Sequence, residues 1–334
     1  MMDVKKLRRF FKKDFTSADG IVSFQVSGAV TKKVTEFYDV APFPNYKDND
    51  NKATILERGN KNQLSRRLKE FIGFNRCFIE VGSGTSQLSN YLAIGSNSEI
   101  FAFDPTLTSL KLGHDFAKKN DIPNVTFVNS DVFEDVFEDE VFDVVWCSGV
   151  LHHTKDPAGS FDLLCKYAKR DGIVIVGLYN WYGRIRTHFR RFFYRIFGTG
   201  YLMIFDPVLR KADKNSGEKV KSWIRDQYIH PVESCHSFDE LLKWFDKNNI
   251  EFINSIPSCE IQLGKEALVQ NVQPFDDVRA RVATNSDDFF KLRRRRWSFH
   301  FCRPEALNSK AVDFPSYSLG DDPVSLVCNM SMVN

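Results

Sequence analysis

Between residues 77 and 179 the chain alternates short apolar runs with amphipathic stretches. The runs at 77–81, 98–103, 125–129, 142–147 and 172–179 read as strands, their mostly apolar character marking strands buried on both faces. The intervening 86–94, 106–119 and 156–169 repeat their apolar positions at helical spacing, and 60–73, with Leu64, Leu68, Phe71 and Ile72 in register, predicts a helix before the first strand. Later, Ser237 precedes an amphipathic helix to 248, with Phe238, Leu241, Leu242 and Phe245 on one face and Ser237 as N-cap. A strand at 250–256 follows it. Alternating strands and helices with short connections predict an α/β fold, a doubly wound, mostly parallel sheet whose ligands bind at the carboxyl ends of its strands.

The flanks are less regular. We expect an N-terminal helical and aromatic cap at 1–59, a catalytic-type domain at 60–260 with an insertion at 180–236 after the fifth strand, and a C-terminal extension at 261–334. Val4, Leu7, Phe10 and Phe11 alternate with lysine and arginine, predicting an amphipathic helix over 4–13 that docks on the domain or touches a membrane surface. Residues 35–50 are aromatic and interrupted by Pro42 and Pro44, against a continuous helix. Within the insertion, Ile185, Phe189, Phe192, Phe193 and Ile196 form a stripe flanked by five arginines, a strongly basic amphipathic helix. The apolar patches at 297–302 and 324–328 are candidate late strands.

Composition narrows the choices. The formal charge of +3, from 46 basic and 43 acidic residues, leaves no whole-molecule attraction to polyanions, so basic character is local, as at 5–13, 184–195 and 293–296. Seven dispersed cysteines without a C-x-x-C pair argue against a zinc module or disulfide framework and suggest reduced thiols in a cytoplasmic protein. No run approaches the roughly 18 apolar residues of a membrane span. His230, Glu233, Cys235 and His236 are metal-ligating types, but Pro231 and the spacing do not match a helix presenting two histidines four apart, and no metal is expected.

The chemistry concentrates at residues 77–90, where the first strand enters a small-residue turn and a helix begins. Gly82 and Gly84 clear space against the backbone, and the helix start points unpaired N–H groups at it. The dinucleotide fingerprint would require glycine where Gln87 stands. Glu80-x-Gly82-x-Gly84, with an acid two residues before the first glycine, instead resembles motif I of the class I S-adenosylmethionine-dependent methyltransferases, with Ser86 in place of their usual third glycine. Three further segments match in chain order: Asp104 at the end of the second strand, Ser130-Asp131-Val132 after the third, and Asp143 to Ser148 leading to His152 and His153 after the fourth.

The resemblance implies a Rossmann-like fold and S-adenosyl-L-methionine as donor. It implies Glu80 near the donor's methionine end, Gly82, Gly84 and Ser86 in the turn, Asp104 on the ribose hydroxyls, Asp131 and Val132 at the adenine, and Ser148 beside them. Tyr38 and Tyr46 are expected as an aromatic cover over the sulfonium. For a small-molecule acceptor, Arg184, Arg186, His230 and His236 are candidate contacts, and His153, His152 and Glu233 the candidate bases if the nucleophile must lose a proton. Alternatives are a lipophilic, quinone- or lipid-like acceptor, an RNA acceptor, and a methyltransferase-like binding protein without turnover.

Overall fold

The structure, a computed structural model, describes residues 4–26, 28–40, 42–210, 217–229, 232–256 and 297–304. The strands, in chain order, are β1 (Thr16–Ala18), β2 (Ile21–Ser23), β3 (Cys77–Val81), β4 (Glu99–Asp104), β5 (Val125–Asn129), β6 (Phe142–Ser148), β7 (Ala168–Tyr179), β8 (Ile250–Ile256) and β9 (Trp297–Pro304). They form a nine-stranded sheet in the order β1-β2-β5-β4-β3-β6-β7-β9-β8. From β2 through β7 every neighbouring pair is parallel, while β9 runs antiparallel between β7 and β8. Chain direction across the sheet reverses between β3 and β6, and this switch point opens a crevice at the carboxyl ends of the strands.

Helices cover both faces. On one side lie α3 (Lys52–Lys61), α4 (Gln63–Ile72), α5 (Gln87–Ala93) and α6 (Leu107–Lys119), which bury Ile55, Leu64, Leu68, Tyr91 and Leu110 against the sheet. On the other lie α7 (Pro157–Tyr167) and α11 (Phe238–Lys247), which bury Phe161, Leu164, Leu241 and Phe245. Asp156 caps α7 by accepting the Gly159 N–H, and Ser237 caps α11 through the Glu240 N–H, the expected role of that serine. The segment expected as one helix at 60–73 is α4 preceded by α3. Asn62 ends the first and caps the second, and the domain boundary expected at 59 falls inside α3.

The N-terminal segment departs most from its expectation. Helix α1 spans only Val4–Arg8, after which Phe11 bridges to Phe137. Leu7, Phe10 and Phe11 are buried, with Phe10 against Phe101 at 4.8 Å and Phe11 stacked on Phe137 at 5.0 Å between ring centroids. Full burial of one such ring contributes on the order of 2 kcal/mol, so the core holds these residues and they are not available to a membrane. Their basic neighbours are paired as well: Lys6 and Arg9 with Glu99, Lys12 with Asp135 and Asp139, and Lys13 with Glu134. The β1–β2 hairpin then extends the sheet beside β5, which the sequence reading did not anticipate.

Helix α2 (Ala29–Val40) stops before Pro42, as that proline requires. The insertion folds as α8 (Trp181–Phe205), kinked at Gly198 with φ of 70°, then α9 (Pro207–Arg210) and α10 (Gly217–Ile224). Leu202, Leu209, Ile224 and Tyr228 form a small core of its own. The patch at 324–328 and the basic run at 293–296 lie outside the described residues.

Candidate functional site

Strand β3 ends in the glycine turn, and the turn's geometry explains its composition. Gly82 and Gly84 have φ of 75° and 51°, a left-handed conformation that costs a side-chain-bearing residue roughly 1 kcal/mol or more. The protein also fills the space they leave. A Cβ on Gly82 would lie 2.0 Å from a Val150 methyl, and one on Gly84 2.5 Å from the Phe43 carbonyl oxygen. Ser86 also adopts left-handed φ, 60°, which accounts for glycine being the usual residue there. Its side chain is accommodated because Gly113 of α6 faces it, and its hydroxyl pairs with that of Ser83 at 3.1 Å. Ser86 is thus buried in the turn and does not line the cavity described next.

Above the switch point lies a cavity of about 190 Å³. Its walls carry carboxyl groups from the ends of three adjacent strands, Glu80 on β3, Asp104 on β4 and Asp131 after β5. Among the described lining residues there is no lysine or arginine. Asp104 accepts the Gly84 N–H and the Thr106 N–H, each at 2.8 Å, so it ties the glycine turn to the neighbouring strand. Burial raises its pKa, against those two backbone bonds. Asp131 accepts the Phe133 N–H at 3.2 Å and the hydroxyl of Thr31. Thr31 belongs to α2, whose Val30, Val34 and Tyr38 close the cavity from above. Val132, Ser148 and Gly149 complete the wall.

Glu80 accepts the Ser89 N–H at 3.0 Å and the Ser89 hydroxyl at 2.5 Å. Burial nevertheless pushes its pKa up to about 8. Because this folded value lies above that of an unfolded carboxyl, protonated Glu80 stabilises the fold at acid pH. That contribution is lost as pH rises from the ordinary carboxylate range through about 8. Glu80→Gln, uncharged at every pH, should match wild-type stability within about 1 kcal/mol near pH 5 and exceed it near pH 9 by on the order of 3 kcal/mol. Urea midpoints at both pH values test this. Parallel pH profiles for the two proteins would mean Glu80 is ionised throughout.

Several residues expected at the site lie elsewhere. Tyr46 does not cover the cavity: its ring stacks on Phe116 of α6 at 4.4 Å, and its hydroxyl joins the Thr85 carbonyl at 3.0 Å and the Asn90 amide at 2.9 Å. Two prolines turn the chain before it, so the lid is α2, with Phe43 and Pro44 beside it. His152 is buried behind the wall, its ring stacked on Tyr179 at 3.8 Å between centroids. His153 does line the cavity. Its Nδ1 lies 2.7 Å from the Val232 carbonyl, which can only accept, so Nδ1 carries the proton and Nε2 the lone pair. Burial lowers its pKa to about 4, leaving it neutral at physiological pH.

Glu233 and Arg184 form a buried ion pair behind Tyr179. The Glu233 carboxylate accepts from Arg184 Nη2 and Arg191 Nη2, each at 2.6 Å, and from Arg191 Nη1 at 3.0 Å. Burial alone would raise its pKa, but the two guanidinium groups outweigh that and hold it below the ordinary value. A carboxylate so held is a poor proton acceptor. Arg184, fully buried, also donates to Gln227 at 2.7 Å and lies 3.9 Å over the Tyr179 ring, so it is engaged within the fold and does not line the cavity. Arg186 is exposed on α8. His236 is buried beside Ser234 and Trp244, away from the cavity. His230 lies outside the described residues. His188 and Cys235 come within 3.6 Å near Glu233, but two guanidinium groups on that carboxylate oppose a cation there.

The sequence reading missed Thr31, Phe133, Tyr179 and Thr154, all cavity residues. Phe133 and Tyr179 sit just past or at strand ends, where the fold rule alone marks ligand positions. Thr31 carries no local signal, since it reaches the site only through its bond to Asp131.

Comparison with known proteins gives the site a family context. Residues 75–196 match the family described as a methyltransferase domain. An uncharacterized protein of Synechococcus is 22% identical over 258 residues, covering 67% of this chain and 60% of that protein, so the chain spans less than two thirds of the curated relative. PKMT2 from Rickettsia typhi, solved in complex with AdoHcy, superposes with a TM-score of 0.54 at 15% identity, over 72% of this chain and 51% of that one. A second structure of PKMT2 gives the same TM-score at 16% identity, over 74% and 53% of the two chains. At such identity the likeness is one of fold. Over residues 75–196, then, the chain is similar to the methyltransferase-domain family, on a sheet with the Rossmann-like fold.

Proposed function

We propose that the chain is an active methyltransferase that passes the methyl group of S-adenosylmethionine to a small-molecule acceptor. The observation carrying this reading is the cavity's lining: three carboxyl groups, two of them held toward their neutral form by burial, with aromatic rings and no described lysine or arginine, a set that a bound cation would ionise and that would hold it. The residues present fit the donor. Glu80 offers a carboxyl to an ammonium, the Asp104 carboxylate offers acceptors to ribose hydroxyls, and Asp131 with Val132 suits an adenine edge and face. Tyr38 and α2 exclude water from above. When bound, the donor supplies an electrophilic methyl on a sulfonium, open to direct displacement with a neutral leaving group.

His153 and Thr154, which follow β6, and Tyr179 at the end of β7 line the cavity across the switch point from β4 and β5, and suit the acceptor. The Nε2 lone pair of His153 can hold an acceptor's hydroxyl or amine proton and orient its nucleophilic atom. With a pKa near 4 it favours positioning over full proton abstraction. With Arg184 engaged by Glu233, an acceptor's acidic group has no described cation in the cavity, so an uncharged or weakly polar acceptor fits better than an anionic one. The paired basic residues of the N-terminal segment give no track toward the cavity for RNA.

Incubation with donor labelled in the methyl group and a cell extract, followed by fractionation, should place label in the small-molecule fraction. Label in RNA would replace the small-molecule reading with the nucleic-acid one. Tight one-to-one S-adenosylhomocysteine binding with no labelled product in any fraction would favour a binding protein without turnover.

A further inference from the structure

Helix α8 is inside out for a helix on a water-soluble surface. Phe189, Phe192, Ile196 and Phe197 are 62%, 59%, 58% and 63% exposed, and past the kink Ile204 and Phe205 are 63% and 55% exposed. At roughly 100° per residue, Phe189, Phe192 and Ile196 share one side of the helix. Thr187 and Arg191 lie on the opposite side, Thr187 buried and Arg191 bound to Glu233. The polar side therefore faces the domain and the apolar side faces out. The face continues across the kink as a ladder of rings, Phe193 to Phe197 at 6.2 Å, Phe197 to Tyr201 at 6.2 Å and Tyr201 to Phe205 at 4.5 Å.

Charge specifies what such a face meets. From Trp181 to Phe205 there are five arginines and no acidic residue. Arg184 and Arg191 are consumed by Glu233, which leaves Arg186, Arg190 and Arg195. The same helical geometry sets Arg190 and Arg195 on the two borders of the apolar face. An apolar strip with a cationic rim on each side matches a lipid surface bearing phosphate headgroups: rings enter the headgroup and acyl boundary while guanidinium groups fork onto phosphates. A second copy fits poorly, because two-fold pairing of this helix sets the same arginines against one another with no carboxylate in the helix to receive them. Among the described residues no helix is long and apolar enough to cross a membrane, so the geometry is that of a helix lying in the interface plane.

We propose that α8 docks this protein on anionic membrane surfaces, with Phe189, Phe192, Ile196 and Phe197 inserted and Arg190 and Arg195 on headgroup phosphates. The docking stands on the exposed face alone. Its consequence for catalysis rests on the methyl-transfer reading. Helix α8 starts two residues after Tyr179, a cavity wall residue, and Arg184 in its first turn contacts that ring, so docking would hold the cavity near the bilayer and favour an acceptor that partitions into it.

The full chain should co-sediment with vesicles enriched in phosphatidylglycerol at least about tenfold more strongly than with phosphatidylcholine vesicles, and less strongly as salt rises. The triple variant Phe189→Ser, Phe192→Ser, Ile196→Ser should lose vesicle binding by about tenfold or more while keeping its thermal midpoint and S-adenosylhomocysteine affinity, because these side chains pack against little of the protein. Arg190→Gln with Arg195→Gln should erase the preference for anionic lipid. The proposal is overturned if the wild type ignores anionic vesicles at low salt, or if the triple variant binds them as well as the wild type does. It is equally overturned if the wild type self-associates through this face, losing that in the triple variant, without binding vesicles. Failure of the wild type to bind S-adenosylhomocysteine would count against the methyl-transfer reading alone.

Discussion

Glu233→Ala should destabilise the protein by about 3–5 kcal/mol, the usual consequence of stranding a buried charge. The side chains of Arg184 and Glu233 are 0% and 4% exposed, so removing the carboxylate leaves a guanidinium in the interior with only uncharged partners, Gln227, the Cys235 sulfur and the Tyr179 ring, among the described residues. Arg191, 16% exposed, can turn toward water and loses less. The double variant Arg184→Met with Glu233→Leu should recover most of the loss, since replacing both partners removes the desolvation penalty along with the attraction. Because the arginines hold Glu233 below its ordinary pKa, its contribution is complete at neutral pH and fades as pH falls through that lowered value. Urea denaturation of the three proteins, repeated at acid pH, checks both the size and the sign. Were Arg184→Met instead to raise an acceptor KM with stability unchanged, the pair would belong to substrate binding and not to the fold.

Asp104→Ala should weaken S-adenosylhomocysteine binding by about a hundredfold to ten-thousandfold. Two hydrogen bonds from ribose hydroxyls to a carboxylate are each worth roughly 1.5–3 kcal/mol, and every 1.4 kcal/mol or so is a factor of ten. Asp104 also accepts the Gly84 and Thr106 N–H groups, so alanine releases the turn as well as the ligand. Asp104→Asn separates the two effects, because its carbonyl oxygen can keep one backbone bond while the charge is lost. Its affinity should fall between those of wild type and alanine, with a smaller drop in thermal midpoint than alanine shows. Calorimetric affinity within about threefold of wild type for a folded Asp104→Ala protein would remove Asp104 from the ribose site.

The parallel strands were legible because strands buried on both faces leave unbroken apolar runs, as at Cys77–Val81 and Phe142–Ser148. The β1–β2 hairpin was not. Its strands have three residues each, too short for alternation to register, although Asp19-Gly20 is a turn signal and both residues adopt positive φ, 52° and 80°. Spacing alone set the acids of the cavity at strand ends, and the structure brings Glu80, Asp104 and Asp131 together there. Spacing could not distinguish Tyr38 from Tyr46. Both are aromatic and eight residues apart in one segment. Only the turn through Pro42 and Pro44 sends the second onto α6.

The amphipathic period of α8 was visible in the residues, but which side faces the domain was not. Period fixes the angle between apolar and polar faces and says nothing about which one the protein covers. Here Arg184 and Arg191 reach Glu233 across 49 and 42 residues and turn the polar face inward. Thr31 likewise meets Asp131 across 100 residues and makes α2 the lid. By itself, then, the sequence determined the strands, the glycine turn and the acids at the strand ends, because each follows from neighbours within a few residues of backbone. Tertiary structure alone decided which ionisable groups are engaged by one another, which aromatic ring covers the cavity and which face of α8 remains exposed, because those depend on distant segments returning to the same place.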